Sequence, residues 1–128
     1  MKIIMNNVSI TNKVQAEYQL VKNVTINLSQ TNDGTIIPDS GIDEAGTYKF
    51  IINSDHRVYF IGFRGAYNSV IYWFKPQFKK YIEPNTNIEY FAEISKEEVN
   101  NFVHSTEFVL PAADTNNTSV TIKIYKAK

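Results

Sequence analysis

The sequence predicts an all-β chain: an antiparallel β-sandwich of Greek-key or jelly-roll type, with about eight or nine strands and one short helix near residues 95–103. Three observations lead there. Apolar residues recur at every second position through much of the chain, turn-forming clusters punctuate it at short intervals, and one stretch alone joins helical spacing to a helix-start signal. At 128 residues it reads as one domain, 1–128, large enough to bury a core of its own.

The alternation is clearest in the first thirty residues. Val8, Ile10, Val14, Ala16, Tyr18, Leu20, Val24, Ile26 and Leu28 hold even positions, and the odd positions from Ser9 to Asn27 are polar, with Val21 the one exception. A period of two means one buried and one wet face. One strand of that length would run to about 70 Å at ~3.3 Å per residue, so breaks are expected at 11–13 and at 22–23. Residues 30–46, QTNDGTIIPDSGIDEAG, read as turn chemistry throughout. Next come the strand TYKFII (47–52), the turn NSDH (53–56) and the strand RVYFIGF (57–63), after which RGAYN (64–68) turns into SVIYWFK (69–75). Pro76 to Pro84 is expected to be an irregular loop. NIEYFAEI (87–94) alternates again, with Ile88, Tyr90, Ala92 and Ile94 on one side. Ser95 and Glu98 make a capping-box pattern, and Val99, Phe102 and Val103 then share one helical face. EFVLP and SVTIKIY close the chain as strands, the last with Val120, Ile122 and Ile124 inward.

Composition narrows the function classes. Thirteen basic and thirteen acidic residues cancel. With no basic run, this argues against nucleic acid as a partner and gives little attraction to anionic lipid, while an aromatic route to a membrane stays open. The absence of cysteine excludes disulfides, thiolate metal sites and a cysteine nucleophile. The apolar run in MKIIMNNVSI is too short for a secretory signal, and no stretch is long enough for a transmembrane helix. The expectation is a cytoplasmic protein, or one released without a classical signal. Five N-x-Ser/Thr triplets, at Asn7, Asn23, Asn27, Asn116 and Asn117, are accidents of an asparagine-rich composition under that expectation.

Residues 57–76 hold seven of the seventeen aromatic residues: Tyr59, Phe60, Phe63, Tyr67, Tyr72, Trp73 and Phe74. Read as one hairpin, the segment is apolar on both faces, whereas a strand in a two-layer sandwich turns only one face to the core. The second face then needs a cover. The 95–103 helix and the 76–86 loop can supply one, with Phe102, Phe78 and Tyr81; another subunit or a ligand can supply it too.

Chemical motifs are sparse. Ser54, Asp55 and His56 are neighbours on a turn and do not point at one another as a catalytic triad requires. His104 falls at the helix C-terminus, where the dipole accounts for it. No paired-histidine zinc spacing, phosphate loop or dinucleotide fingerprint is present. Asp39, Asp43 and Glu44 read as turn acids rather than a cation loop. DEAGTY (43–48) is similar to the Asp-x-Gly-x-Tyr corner of immunoglobulin domains, but Phe50 stands where those have a cysteine and most strands are still to come, so the likeness is taken as coincidence. ADTNNTS (113–119) sets Asp114, Thr115, Asn116, Asn117 and Thr118 just before the last strand. In outline it resembles the calcium-and-sugar loop of small bacterial galactose-binding jelly-roll lectins. That resemblance covers this loop alone, and the tryptophan and histidine contacts such lectins use elsewhere have no clear counterpart.

The resulting expectation is a non-catalytic binding module, lectin-like, for carbohydrate or a cell surface. Tyr67, Tyr72 and Trp73 would stack on sugar rings while Asp114, Asn116 and Asn117 fix hydroxyls. No cofactor is required, although calcium on Asp114 and Asn117 is what the lectin resemblance implies. The alternative is a self-assembling structural protein, a homo-oligomer, fibre or crystalline inclusion, associating through the aromatic hairpin. A third reading is a small toxin component that contacts membranes.

Overall fold

Alternation of apolar and polar residues becomes two sheets packed face to face. The computed structural model describes residues 17–28, 35–37, 40–68, 70–74, 77–104, 106–109 and 117–128. In order these form β1 (Tyr18–Leu28), β2 (Thr35–Ile37), β3 (Gly46–Ser54), β4 (Val58–Phe60), β5 (Gly62–Tyr67), β6 (Val70–Trp73), β7 (Lys80–Ile82), β8 (Ile88–Ile94), α1 (Lys96–His104), β9 (Thr106–Val109) and β10 (Thr118–Ala127). The first sheet has the order β1-β10-β3-β8, the second β2-β9-β5-β6, and β4 pairs with β7 in a small third sheet. All pairings are antiparallel. The pairing is nested: β1 with β10, β2 with β9, β3 with β8, and β5 with β6 innermost. A long hairpin rolled on itself in this way is a jelly roll.

The inner face of the first sheet carries Ile26 and Leu28, Tyr48, Phe50 and Ile52, Tyr90, Ala92 and Ile94, and Val120, Ile122 and Ile124, all buried. Phe50 of β3 stacks on Phe63 of β5 with ring centroids 4.1 Å apart, and Phe74 and Tyr90 pack around that pair. This aromatic stack joins the two layers. Burial raises the Tyr90 phenol well above its ordinary value and pushes that of Tyr48 up to about 12. Tyr48 Oη donates to the Glu44 carbonyl at 2.6 Å. The Asp-x-Gly-x-Tyr likeness therefore carries the corner's hydrogen bond, in a chain without the corner's disulfide.

Several boundaries differ from the sequence reading. No break interrupts β1 at 22–23; instead a bulge at Val21 separates the pairs Leu20–Tyr125 and Lys22–Ile124. An extra residue reverses which face each side chain meets. Ile26 and Leu28 point inward as the alternation requires, but Tyr18 and Leu20 fall on the outer face, and Leu20 is exposed. Val21, the one exception in the pattern, is the bulge itself. Gly41, at φ 79°, lies against it, and a Cβ there would meet the Val21 carbonyl oxygen at 3.1 Å. The even-numbered positions before Tyr18 lie outside the described residues.

The stretch 30–46 is not all turn, since it contributes β2 and the buried residues Ile37, Ser40 and Ile42. The 57–63 strand divides at Ile61, whose carbonyl accepts from the N–H groups of Phe78 and Lys79. Its first part joins β7, a strand inside the supposed 76–84 loop, and its second joins β6. The true hairpin is thus β5–β6, whose last pair before the turn is Tyr67 with Val70. Asn68 takes φ 51°, a left-handed value that asparagine tolerates in two-residue turns. The helix begins as expected: Ser95 N–H donates to Glu98 Oε1 at 3.0 Å, and Glu98 N–H to Ser95 Oγ at 3.2 Å.

Candidate functional site

The site follows from the register of the first sheet. Strand residues that face each other share a face, so the pairings define rows running across β1, β10, β3 and β8. On the outer face one row reads Thr25, Thr121 and Asn53, and Asn53 Nδ2 extends it by donating to Asn87 Oδ1 at 2.9 Å. The next row reads Asn23, Lys123, Ile51 and Glu89. The third reads Leu20, Tyr125, Lys49 and Phe91, with Tyr18 beside it. The surface is therefore graded from hydroxyls and amides at one end to aromatic rings at the other.

Between the rows lies an open groove of about 320 Å³ lined by Ile51, Asn53, Asn87, Thr121, Lys123 and Tyr125. The hydrogen bond between the two asparagine side chains uses one donor of Asn53 and the oxygen of Asn87. It leaves the Asn53 oxygen as an acceptor and the Asn87 amide as a donor. Lys49 Nζ lies 4.6 Å from the Tyr18 ring centroid and 4.9 Å from that of Tyr125. The ammonium thus holds both rings by cation–π attraction and fixes the aromatic end of the groove. Tyr18 also approaches Phe91, with centroids 6.2 Å apart, and burial together with the Glu89 charge raises its phenol pKa.

Of the residues singled out from sequence, none of those described lines this groove. Tyr72 and Trp73 are successive strand residues and project to opposite faces. Tyr72 packs against the core, whereas Trp73 lies beside Arg64, whose guanidinium carbon is 5.5 Å from its ring. Tyr67 ends β5 opposite Val70. Asn117 is exposed in the turn before β10, at φ 62°. Asp114 and Asn116 lie outside the described residues, so the proposed calcium pair of Asp114 and Asn117 is described only at Asn117. Among the described residues no three His, Asp or Glu side chains converge as a metal site. Glu44 instead pairs with Lys126 at 3.1 Å.

Ser54, Asp55 and His56 form a structural clasp. Ser54 Oγ donates to the His56 carbonyl at 2.6 Å, and the His56 ring meets Asp55 Oδ1 at 2.8 Å. That same carboxylate oxygen accepts the Ser119 N–H at 2.8 Å, which, with the imidazole, lowers the Asp55 pKa. The clasp fastens the turn after β3 to the start of β10. Elsewhere, Arg57 lies over the Tyr81 ring at 3.7 Å while bonding Glu83 at 3.1 Å, and Tyr59 meets Tyr81 edge-on.

No family model matches the chain. No curated protein matches it either.

The groove residues were missed in the sequence although a signal was present. Lys49, Ile51 and Asn53 alternate on β3, as do Thr121, Lys123 and Tyr125 on β10. Ile51 and Tyr125 are large apolar groups on what a sandwich would make its wet face. Asn53 was assigned to a turn, so the Asn–Thr row could not be assembled without the strand order.

Proposed function

We propose that the protein is a non-catalytic binding module that takes a carbohydrate on the outer face of its first sheet. The observation that carries this reading is the juxtaposition in one groove of Tyr125 with the Asn53–Asn87 pair, Thr121 and Lys123. A sugar ring offers an apolar C–H face and a rim of hydroxyls, and each hydroxyl both donates and accepts. Tyr125 supplies the stacking surface, while Asn53 and Asn87 present an acceptor and a donor to adjacent hydroxyls. Thr121 and Lys123 add further polar partners. The groove is shallow and needs no closure, which suits a chain end or a surface glycan.

The lectin-like character expected from sequence is kept, but the surface is a different one. An assembly role draws on a separate feature, the apolar edge of β6. The membrane reading has less support: the exposed large apolar residues Leu20, Val70, Ile71 and Tyr81 belong to three different sheets. Among the described residues no helix is long and apolar enough to cross a membrane.

A glycan array tests the reading, run with wild type, Tyr125→Ala, Asn53→Ala and Trp73→Ala, each with calcium and with chelator. Wild type and Trp73→Ala are expected to bind a common set of glycans with or without calcium, and to bind a soluble monovalent glycan of that set with equal affinity. Tyr125→Ala and Asn53→Ala should bind that set at least about tenfold more weakly, a change worth ~1.4 kcal/mol. Binding that survives Tyr125→Ala, or that disappears with chelator, would overturn this placement.

A further inference from the structure

The β5–β6 hairpin ends the second sheet. Among the described residues no strand lies beyond β6. Val70 and Ile71 are 48% and 52% exposed, and the strand VIYW carries none of the charged or proline residues that usually blunt a sheet edge. The register fixes which backbone groups face outward. Phe74 N–H donates to the Phe63 carbonyl at 3.0 Å, and pairing proceeds without a shift through Trp73–Arg64, Tyr72–Gly65, Ile71–Ala66 and Val70–Tyr67. Antiparallel ladders alternate bonded and non-bonded pairs. Phe74, Tyr72 and Val70 therefore bond inward to β5, while Trp73 and Ile71 turn their N–H and C=O groups to the open edge.

We propose that this edge pairs with the same edge of a second copy of the chain, forming a two-fold dimer with a continuous eight-stranded second sheet. A two-fold axis normal to the sheet leaves every residue on its own face, so residues opposed across it differ by an even number. Centring the axis on Tyr72 places Ile71 opposite Trp73 of the other copy, twice. Those two pairs contribute four backbone hydrogen bonds, all from groups that already face outward. They also cover the exposed isoleucine with an indole, the aromatic–β-branched pairing that sheets favour. The occupant is another copy because the edge is complementary to itself in this register, and a net charge of zero opposes no approach.

The symmetry has a further consequence. An axis normal to the second sheet keeps both first sheets on one side of it, so the two outer faces point the same way. The dimer would then present two grooves to one surface, raising avidity without any new ligand contact. This bivalence rests on the carbohydrate reading above; the dimer does not.

Sedimentation of the full chain across concentrations up to about 1 mM tests the dimer. Wild type should show a monomer–dimer equilibrium, and Ile71→Lys should weaken it at least about tenfold with an unchanged circular dichroism spectrum. Should Ile71→Lys fail to fold, Ile71→Thr keeps a β-branched residue at the edge and should weaken association in the same direction. The register is tested by single cysteines in this cysteine-free chain. Under oxidation Tyr72→Cys should link two copies and Ile71→Cys should not. A wild type that stays monomeric throughout overturns the dimer, and linkage through Ile71→Cys alone overturns the register. Bivalence is read separately, as an Ile71→Lys loss of at least about tenfold on a dense glycan surface with monovalent affinity unchanged. An Ile71→Lys variant that binds the dense surface as tightly as wild type would overturn the bivalence and leave the dimer standing.

Discussion

Tyr125 and Trp73 occupy similar positions in different surroundings. Each is a half-buried ring on a strand with a cation over it, Lys49 at 4.9 Å for Tyr125 and Arg64 at 5.5 Å for Trp73. The neighbours of Tyr125 are Asn53, Asn87, Thr121 and Lys123, whereas those of Trp73 along its strand are Tyr72, Ile71 and Val70. A ring with polar groups held around it can orient a hydroxylated ligand. A ring with apolar neighbours on an open strand edge favours another strand. The density of aromatic residues in 57–76 marks the core and the exposed strand β6, the edge proposed to associate, while the sparser outer face of the first sheet holds the groove proposed to bind.

The comparison breaks most visibly at the core. Phe63→Ala removes the ring between the two sheets and should lower unfolding free energy by about 3–5 kcal/mol in denaturant titrations. Tyr125→Ala should cost about 1 kcal/mol or less by the same measurement, since the ring lies outside that core. Equal losses would make Tyr125 a structural residue and end the contrast.

Gly41→Ala probes the bulge that brings Tyr18 and Leu20 to the outer face. A left-handed φ of 79° and an approach of 3.1 Å to the Val21 oxygen should together cost about 1–2 kcal/mol. Tyr48→Phe should cost ~1 kcal/mol at neutral pH by removing the bond to Glu44. It should also change the alkaline limb. The folded pKa of Tyr48 lies above its ordinary value of 10, so its contribution is complete below pH 10 and is lost as pH rises toward about 12. The variant should therefore lose less stability than wild type across that window.

Lys49→Ala should cost ~0.5–1 kcal/mol of stability by freeing the Tyr18 and Tyr125 rings, and should weaken glycan binding because Tyr125 is no longer fixed. The smallest effect concerns the clasp at Asp55. Its folded pKa is lowered, so its contribution is present above the ordinary value of 3.8 and is lost as pH falls through the folded value. Asp55→Asn should flatten the acid limb of a thermal melting series while leaving the alkaline limb unchanged.

Much of the fold was legible because period-two patterning reports burial directly. β8, β10 and the second half of β1 face as the pattern states, and the Ser95–Glu98 cap opens the helix where the sequence places it. The misplaced elements have physical causes. A bulge reverses alternation without any turn residue, as at Val21. A division such as that at Ile61 is made by hydrogen bonds from residues 78 and 79, which local sequence cannot reveal. The short strands β2 and β7 are stabilised by partners far along the chain. The candidate site was less legible for the same reason: Thr25, Asn53, Asn87 and Thr121 become neighbours only once the order β1-β10-β3-β8 is known.

Amide chemical-shift mapping with simple sugars at saturating concentration tests the central claim most directly, because it detects weak binding and locates it. The expected result is a set of saturable shifts confined to residues 49–53, 87–91 and 121–125. Shifts centred on residues 64–73, or none with any sugar, would contradict the account.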